Sequence, residues 1–114
     1  MQIDDIAARL EALGNPTRLR IFRALVRAGA NGLTVGSLQS LLEVAPSTLS
    51  HHIKTLVVVE LISQERQGTA LICRANYAAM RGLVDFLVAE CCADEAAGTC
   101  TVGQASDCEP QSCN

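Results

Sequence analysis

Pro46-Ser47-Thr48-Leu49-Ser50-His51-His52-Ile53-Lys54-Thr55-Leu56 is the stretch that decides how this chain folds. Pro46 suits the first turn of a helix, where its missing N–H leaves nothing unsatisfied. Leu49, Ile53, Leu56 and Val57 recur at i, i+4, i+7 and i+8, which is one face of an α-helix. The opposite face carries Ser47, Thr48, His51, Lys54 and Thr55. The spacing predicts a helix over 46–56 with one buried and one presented face.

Upstream, Val44-Ala45 predicts the turn into this helix. Before it, Thr34 caps a short helix that carries Leu38, Leu41 and Leu42 inward. Asn31-Gly32 predicts a turn. Asn15-Pro16 is a strong helix start, with Leu19, Phe22, Leu25 and Val26 as the buried stripe and Gly29 as the end. Earlier still, Ile3, Ile6, Leu10 and Leu13 recur at helical spacing up to Gly14, and Asp4 and Asp5 complement the helix dipole.

Downstream the period changes. Leu61–Arg66 and Ala70–Arg74 read as strands joined by Gln67-Gly68-Thr69, a β-hairpin. Asn76 caps a last helix, on which Met80, Leu83, Val84, Leu87, Val88 and Cys91 form a wide apolar stripe. Such a stripe needs a partner, either the core or the helix of another chain. From Ala93 the periodicity stops. The pattern predicts a folded domain over 1–92 and a flexible, cysteine-containing acidic tail over 93–114.

The predicted fold class is mainly α with a β-hairpin, a winged helix-turn-helix. In that arrangement the first helix of the pair braces the second, and the second lays its polar face in the major groove of DNA. Ser47, Thr48 and Ser50 then bond phosphates or base edges, Lys54 takes a phosphate, and His51 takes either. Gln64, Arg66, Gln67 and Thr69 on the hairpin reach the adjacent minor groove or backbone. Plainer readings stand beside these. His52, nearer the apolar face, reads as packed within the domain. Arg18 and Arg20 also read as solvated helix residues, Arg74 as the partner of an acid on the sheet, and Ser50 as a helix-crossing contact. Cys73, alternating with Leu71, reads as sheet packing.

Charge agrees with a DNA-binding body, weakly. Residues 1–81 hold all 9 Lys and Arg and half of the 12 acids, so they carry +3, whereas residues 82–114 carry −6. At 114 residues the chain holds one modest core. Phe22, Tyr77 and Phe86 are its only aromatics, so that core is aliphatic and favours packed helices. The acidic start Met1–Asp5 lacks a cationic secretory pattern, and the apolar run Leu56–Val59 is far too short to span a bilayer. A cytoplasmic protein without a membrane partner is expected. In that reducing compartment six cysteines read as metal, metalloid or redox ligands rather than structural disulfides.

Three motifs carry a family resemblance. Leu13-Gly14-Asn15-Pro16-Thr17-Arg18-Leu19-Arg20-Ile21 resembles the opening signature of the ArsR/SmtB family of metal-sensing repressors. Ser47–Leu56 is similar to that family's recognition helix, and Arg66-Gln67-Gly68 to its wing. The resemblance covers residues 3–90 in order and spacing. It implies a homodimer assembled through the first and last helices, reading a pseudo-palindromic operator with half-sites about one helical turn apart. It also implies a repressor released by a metal or metalloid.

Which effector depends on the cysteines. The family's arsenic site often places Cys-x-Cys in the helix before the recognition helix, but Ser37–Glu43 contains no cysteine. Its zinc sensors use Asp and His along the last helix, which here offers Asp85 and no histidine. Cys91 and Cys92 remain, with Cys100 within reach as a third sulfur and Cys108 and Cys113 as further tail thiols. Three thiolates without histidine suit trivalent arsenic or antimony better than zinc, which usually takes four N or S ligands. The expected effector is therefore As(III) or Sb(III) as inducer, with no fixed cofactor. Methylated arsenicals and other thiophilic ions are alternatives.

A rival reading is a thiol redox sensor, in which a cysteine pair oxidises to release DNA. No Lys or Arg flanks Cys91 to stabilise a thiolate, and its neighbours Asp94 and Glu95 are acidic, which argues modestly against it. An enzyme is not expected. The only histidines, His51 and His52, lie in the DNA-reading helix, and no phosphate-binding glycine loop occurs.

Overall fold

The computed structural model describes residues 2–95. It contains α1 (Ile3–Leu13), α2 (Pro16–Ala28), a 3-10 turn (Gly29–Asn31), β1 (Leu33–Thr34), α3 (Val35–Leu42), α4 (Pro46–Val58), β2 (Ile62–Gln67), β3 (Ala70–Ala75) and α5 (Tyr77–Val88). The chain divides into two compact units, residues 1–82 and 83–114, with the division inside α5.

Local chemistry sets the helix starts as the sequence predicts. The Asn15 side chain accepts from the N–H groups of Thr17 and Arg18, and Pro16 opens α2. Thr34 accepts from the Ser37 N–H and opens α3. Asn76 accepts from the Ala79 N–H at the start of α5, while its amide donates to the Glu60 carbonyl and ties that start to the end of α4.

The core of the first unit is aliphatic. Ile21, Leu25, Leu38, Leu49, Leu56 and Leu61 are fully buried. Two expected inward residues are not. Leu19 and Leu41 are exposed, and Ile21 takes the place on α2 that Leu19 was expected to fill. On α1 only Ile6 and Ala12 are buried, while Ile3 and Leu10 face out.

The hairpin is part of a three-stranded antiparallel sheet of order β1-β3-β2. The two residues of β1, Leu33 and Thr34, pair with Cys73 and Ile72. So short a strand has no periodicity of its own to read. Its placement depends on Gly29 (φ 74°, ψ −153°), the first residue of the 3-10 turn, and Gly32 (φ 66°, ψ −170°), which follows it. Both occupy a backbone region essentially confined to glycine. Arg74 fastens the same turn to the sheet. Its Nε donates to the Ala30 carbonyl at 2.8 Å, and its Nη1 pairs with Glu65 at 2.6 Å. This is the sheet acid expected for it. Cys73 is fully buried, as sheet packing requires.

The last helix departs from expectation. It ends at Val88, so Cys91 and Cys92 do not lie on it and Cys91 does not continue an apolar stripe. Beyond Val88 the chain makes single turns, Cys91 N–H to Val88 carbonyl, Ala93 to Glu90 and Glu95 to Cys92. Cys92 adopts φ 61°, a left-handed conformation that terminates helices. Val84, Leu87 and Val88 are exposed, so among the described residues no packing sustains a further turn.

Candidate nucleic-acid interface

Helix α4 presents the face that its sequence predicts. Leu49, Ile53 and Leu56 are buried, and Ser47, Thr48, Ser50, His51 and Lys54 are exposed. Ala45 at its N-cap supplies no side-chain acceptor. The first-turn N–H groups beside Ser47 and Thr48 are therefore not capped by a side chain, which favours an approaching phosphate. Thr55 is less available than expected, because its hydroxyl donates back to the His51 carbonyl at 3.1 Å.

Gln64, Arg66 and Gln67 lie on β2 and are exposed. Gln64 is opposite Cys73 in the register, and its amide donates to the Cys73 sulfur at 3.6 Å. Burial pushes the Cys73 thiol pKa up, against a smaller lowering by that bond. Ser50, Lys54, Gln64 and Arg66 come together with Thr69 along one open groove of about 790 Å³ between α4 and the hairpin. Ser47, Thr48 and His51 do not line it.

Two arginines set the pose of α4: Arg18, which the sequence alone reads as a solvated helix residue, and Arg9, to which it assigns no role. Arg18 of α2 donates through Nε to the Ala12 carbonyl of α1 at 2.7 Å, and its Nη1 meets His52 Nδ1 at 3.2 Å. Arg9 of α1 donates to the Val59 carbonyl at the end of α4 at 2.8 Å and pairs with Glu60 at 3.5 Å. Arg18 is thus a bolt between three helices rather than a solvated residue, and α4 is fastened near its middle and at its end. These contacts join residues 34 and 50 positions apart, and no local pattern announces them.

His52 is the packed histidine that its position suggested. To accept from Arg18 its Nδ1 must be unprotonated. Burial, then the Arg18 and His51 charges, hold its pKa below the ordinary 6.5. The unfolded chain therefore binds the proton more readily than the folded one. Stability from this group is complete above pH 6.5 and is lost as pH falls through the lower folded value. Denaturation midpoints of the native protein are expected to fall below pH 6.5. His52→Asn, whose Oδ1 can accept from Arg18, is expected to lack that decline. An equal decline in both would show that another group is responsible.

The cysteines divide. Cys91 and Cys92 are exposed, with their sulfurs 3.5 Å apart. Cys100, Cys108 and Cys113 lie outside the described residues. Among the described residues no group of three or more His, Cys, Asp or Glu is placed to hold a metal, and no helix is long and apolar enough to cross a membrane.

Residues 13–65 match the family model of a helix-turn-helix domain. Solved structures of similar fold include an ArsR-like transcriptional regulator from Rhodococcus sp. RHA1, 22% identical, with a TM-score of 0.69 over 81% of this chain and 83% of that one. The transcriptional repressor BigR from Xylella fastidiosa is 24% identical, with a TM-score of 0.62 over 79% of this chain and 89% of its own. A homodimeric winged helix-turn-helix DNA-binding domain from Mycobacterium bovis, described as a possible ArsR-family regulator, is 24% identical, with a TM-score of 0.63 over 77% of this chain and 82% of its own. No curated protein matches the chain in sequence. The matched segment is a helix-turn-helix domain, and the fold is that of these winged helix-turn-helix structures. The chain thus carries the winged helix-turn-helix fold of the ArsR-type transcriptional regulators.

Proposed function

We propose that the chain is a homodimeric, operator-binding repressor that leaves DNA when trivalent arsenic or antimony binds Cys91, Cys92 and Cys100. The observation that carries the effector reading is the exposed Cys91–Cys92 pair, with sulfurs 3.5 Å apart. Two thiolates on tetrahedral zinc, at about 2.3 Å each, lie about 3.8 Å apart. The shorter separation favours a pyramidal thiophilic ion, with Cys100 as the third ligand. DNA reading falls to Ser47, Thr48, Ser50, His51 and Lys54 on α4, with Gln64, Arg66 and Gln67 on the wing. A second copy would cover apolar residues that one chain leaves in water, Ile3 and Leu10 on α1 and Leu87 and Val88 on α5.

Release is a matter of linkage. Metalloid binding reorganises the turns after α5, and a coupling of about 1–3 kcal/mol lowers operator affinity about 5–150-fold. Arsenite titrated against the full chain on a labelled promoter fragment should release the DNA. Cys91→Ser with Cys92→Ser should stay bound. Unchanged release in that double variant would sink the site. Cys100→Ser separates two ligand classes, since a methylated arsenical needs only the adjacent pair.

The same sulfur separation supports a second reading, oxidation of Cys91 and Cys92 to a disulfide with two electrons passed to peroxide. Release by peroxide without metalloid would favour it.

A further inference from the structure

The groove between α4 and the wing has a lining that DNA contact does not account for. Its volume, about 790 Å³, falls within the range of about 300–1,000 Å³ usual for small-molecule sites. Val35, Val57, Val58 and Leu71 supply an apolar side, and Val58 is 72% exposed on the helix that faces DNA. Phosphates and sugars gain little from such a surface. Among the described residues the charged groups along the groove are Lys54 and Arg66, and no carboxylate of those residues lines it. Neither cation has an ion-pair partner among the described residues. Apolar wall, two positive charges and a suitable volume together match one ligand chemistry.

We propose that this groove binds a small amphipathic carboxylate, its anion between Lys54 and Arg66 and its hydrocarbon against Val35, Val57, Val58 and Leu71, and that the ligand competes with DNA. Competition rests on the reading of Lys54 and Arg66 as DNA contacts; binding of the carboxylate does not. Neither Cys91 nor Cys92 is among its lining residues, so it would answer to an organic acid without any metalloid. Occupancy engages two cations that operator phosphates would otherwise use. Each phosphate deprived of its cation in this way also flattens the salt dependence of DNA binding.

The test uses the full chain with methyl NMR and octanoate as probe. Acetate, which lacks the hydrocarbon, and 1-octanol, which lacks the charge, serve as counterparts. Octanoate should shift the Val35, Val57, Val58 and Leu71 methyl signals saturably, and the other two should do so far more weakly. Val58→Asn should weaken octanoate about fivefold or more while leaving operator affinity unchanged, and octanoate should weaken operator binding by the native chain about 5–150-fold. Absence of saturable shifts, or equal binding of octanol or acetate, would overturn the site. Saturable shifts with operator binding intact would overturn the competition. Failure of the ligand-free chain to bind any promoter fragment would instead count against the repressor reading, and the methyl shifts would still decide the site.

Discussion

Gly32→Ala is expected to cost about 3–5 kcal/mol, a large share of the roughly 5–15 kcal/mol that holds a domain folded. Two causes add. The conformation of Gly32, φ 66° and ψ −170°, is one that a side-chain-bearing residue adopts only under strain. A Cβ built there also collides with the Cys73 carbonyl oxygen and approaches Arg74 Cγ at 2.8 Å and Ile72 Cγ2 at 3.0 Å. The carbonyl belongs to the central strand of the sheet and cannot swing aside as a side-chain tip can. Gly29→Ala separates the two causes. Gly29 has a similar conformation, but a Cβ there meets nothing within 4 Å. Its cost should be the backbone strain alone, about 1–3 kcal/mol. Urea denaturation of both variants measures the difference. Equal midpoints would mean that the sheet yields at Cys73 and the collision argument is wrong.

Arg18→Leu is expected to cost about 2–4 kcal/mol of stability and about tenfold in operator affinity, although Arg18 is not on the presented face of α4. The change removes both the bond to the Ala12 carbonyl and the contact with His52, leaving two half-buried acceptors without their donor. Of the two arginine attachments of α4, the one at Val59 and Glu60 then remains. Arg18→Lys should not rescue it, because a compact ammonium cannot span both acceptors as the guanidinium does. Loss of the Arg18 charge should also relax the lowered pKa of His52, so the acid-side loss of stability becomes shallower. A merely space-filling arginine would leave that profile alone. Promoter binding by anisotropy and denaturation across pH test the three effects together.

What could be read from the chain depended on range. Caps act over three residues, so Asn15, Thr34 and Asn76 announced their helices correctly. Apolar spacing marked the buried and presented faces of α4, and the hairpin stood out by its change of period. The exposure of Leu19 and Leu41 was hidden, because spacing shows that a face is apolar and not whether anything covers it. The end of α5 was misplaced for the same reason. Leu87, Val88 and Cys91 continue the pattern, but a pattern without a packed surface does not hold a helix together. The strand Leu33–Thr34 and the roles of Arg9 and Arg18 arise only when distant segments meet. Of the candidate site, the exposed polar residues of α4 and β2 were legible one by one, whereas the groove that gathers Lys54 and Arg66 was not.

The division of labour on α4 bears on how such a protein can change over generations. The residues that hold the helix in place, Arg9, Arg18 and His52, are separate from those on its presented face, Ser47, Thr48 and His51. Exchanging the outward residues alters the chemistry that this face presents and leaves the mounting untouched. A duplicated copy of this gene can therefore change what the face contacts by single substitutions, each passing through a folded intermediate with the helix still in place. Substitutions at the mounting have no such gradual route, since they displace every outward residue at once.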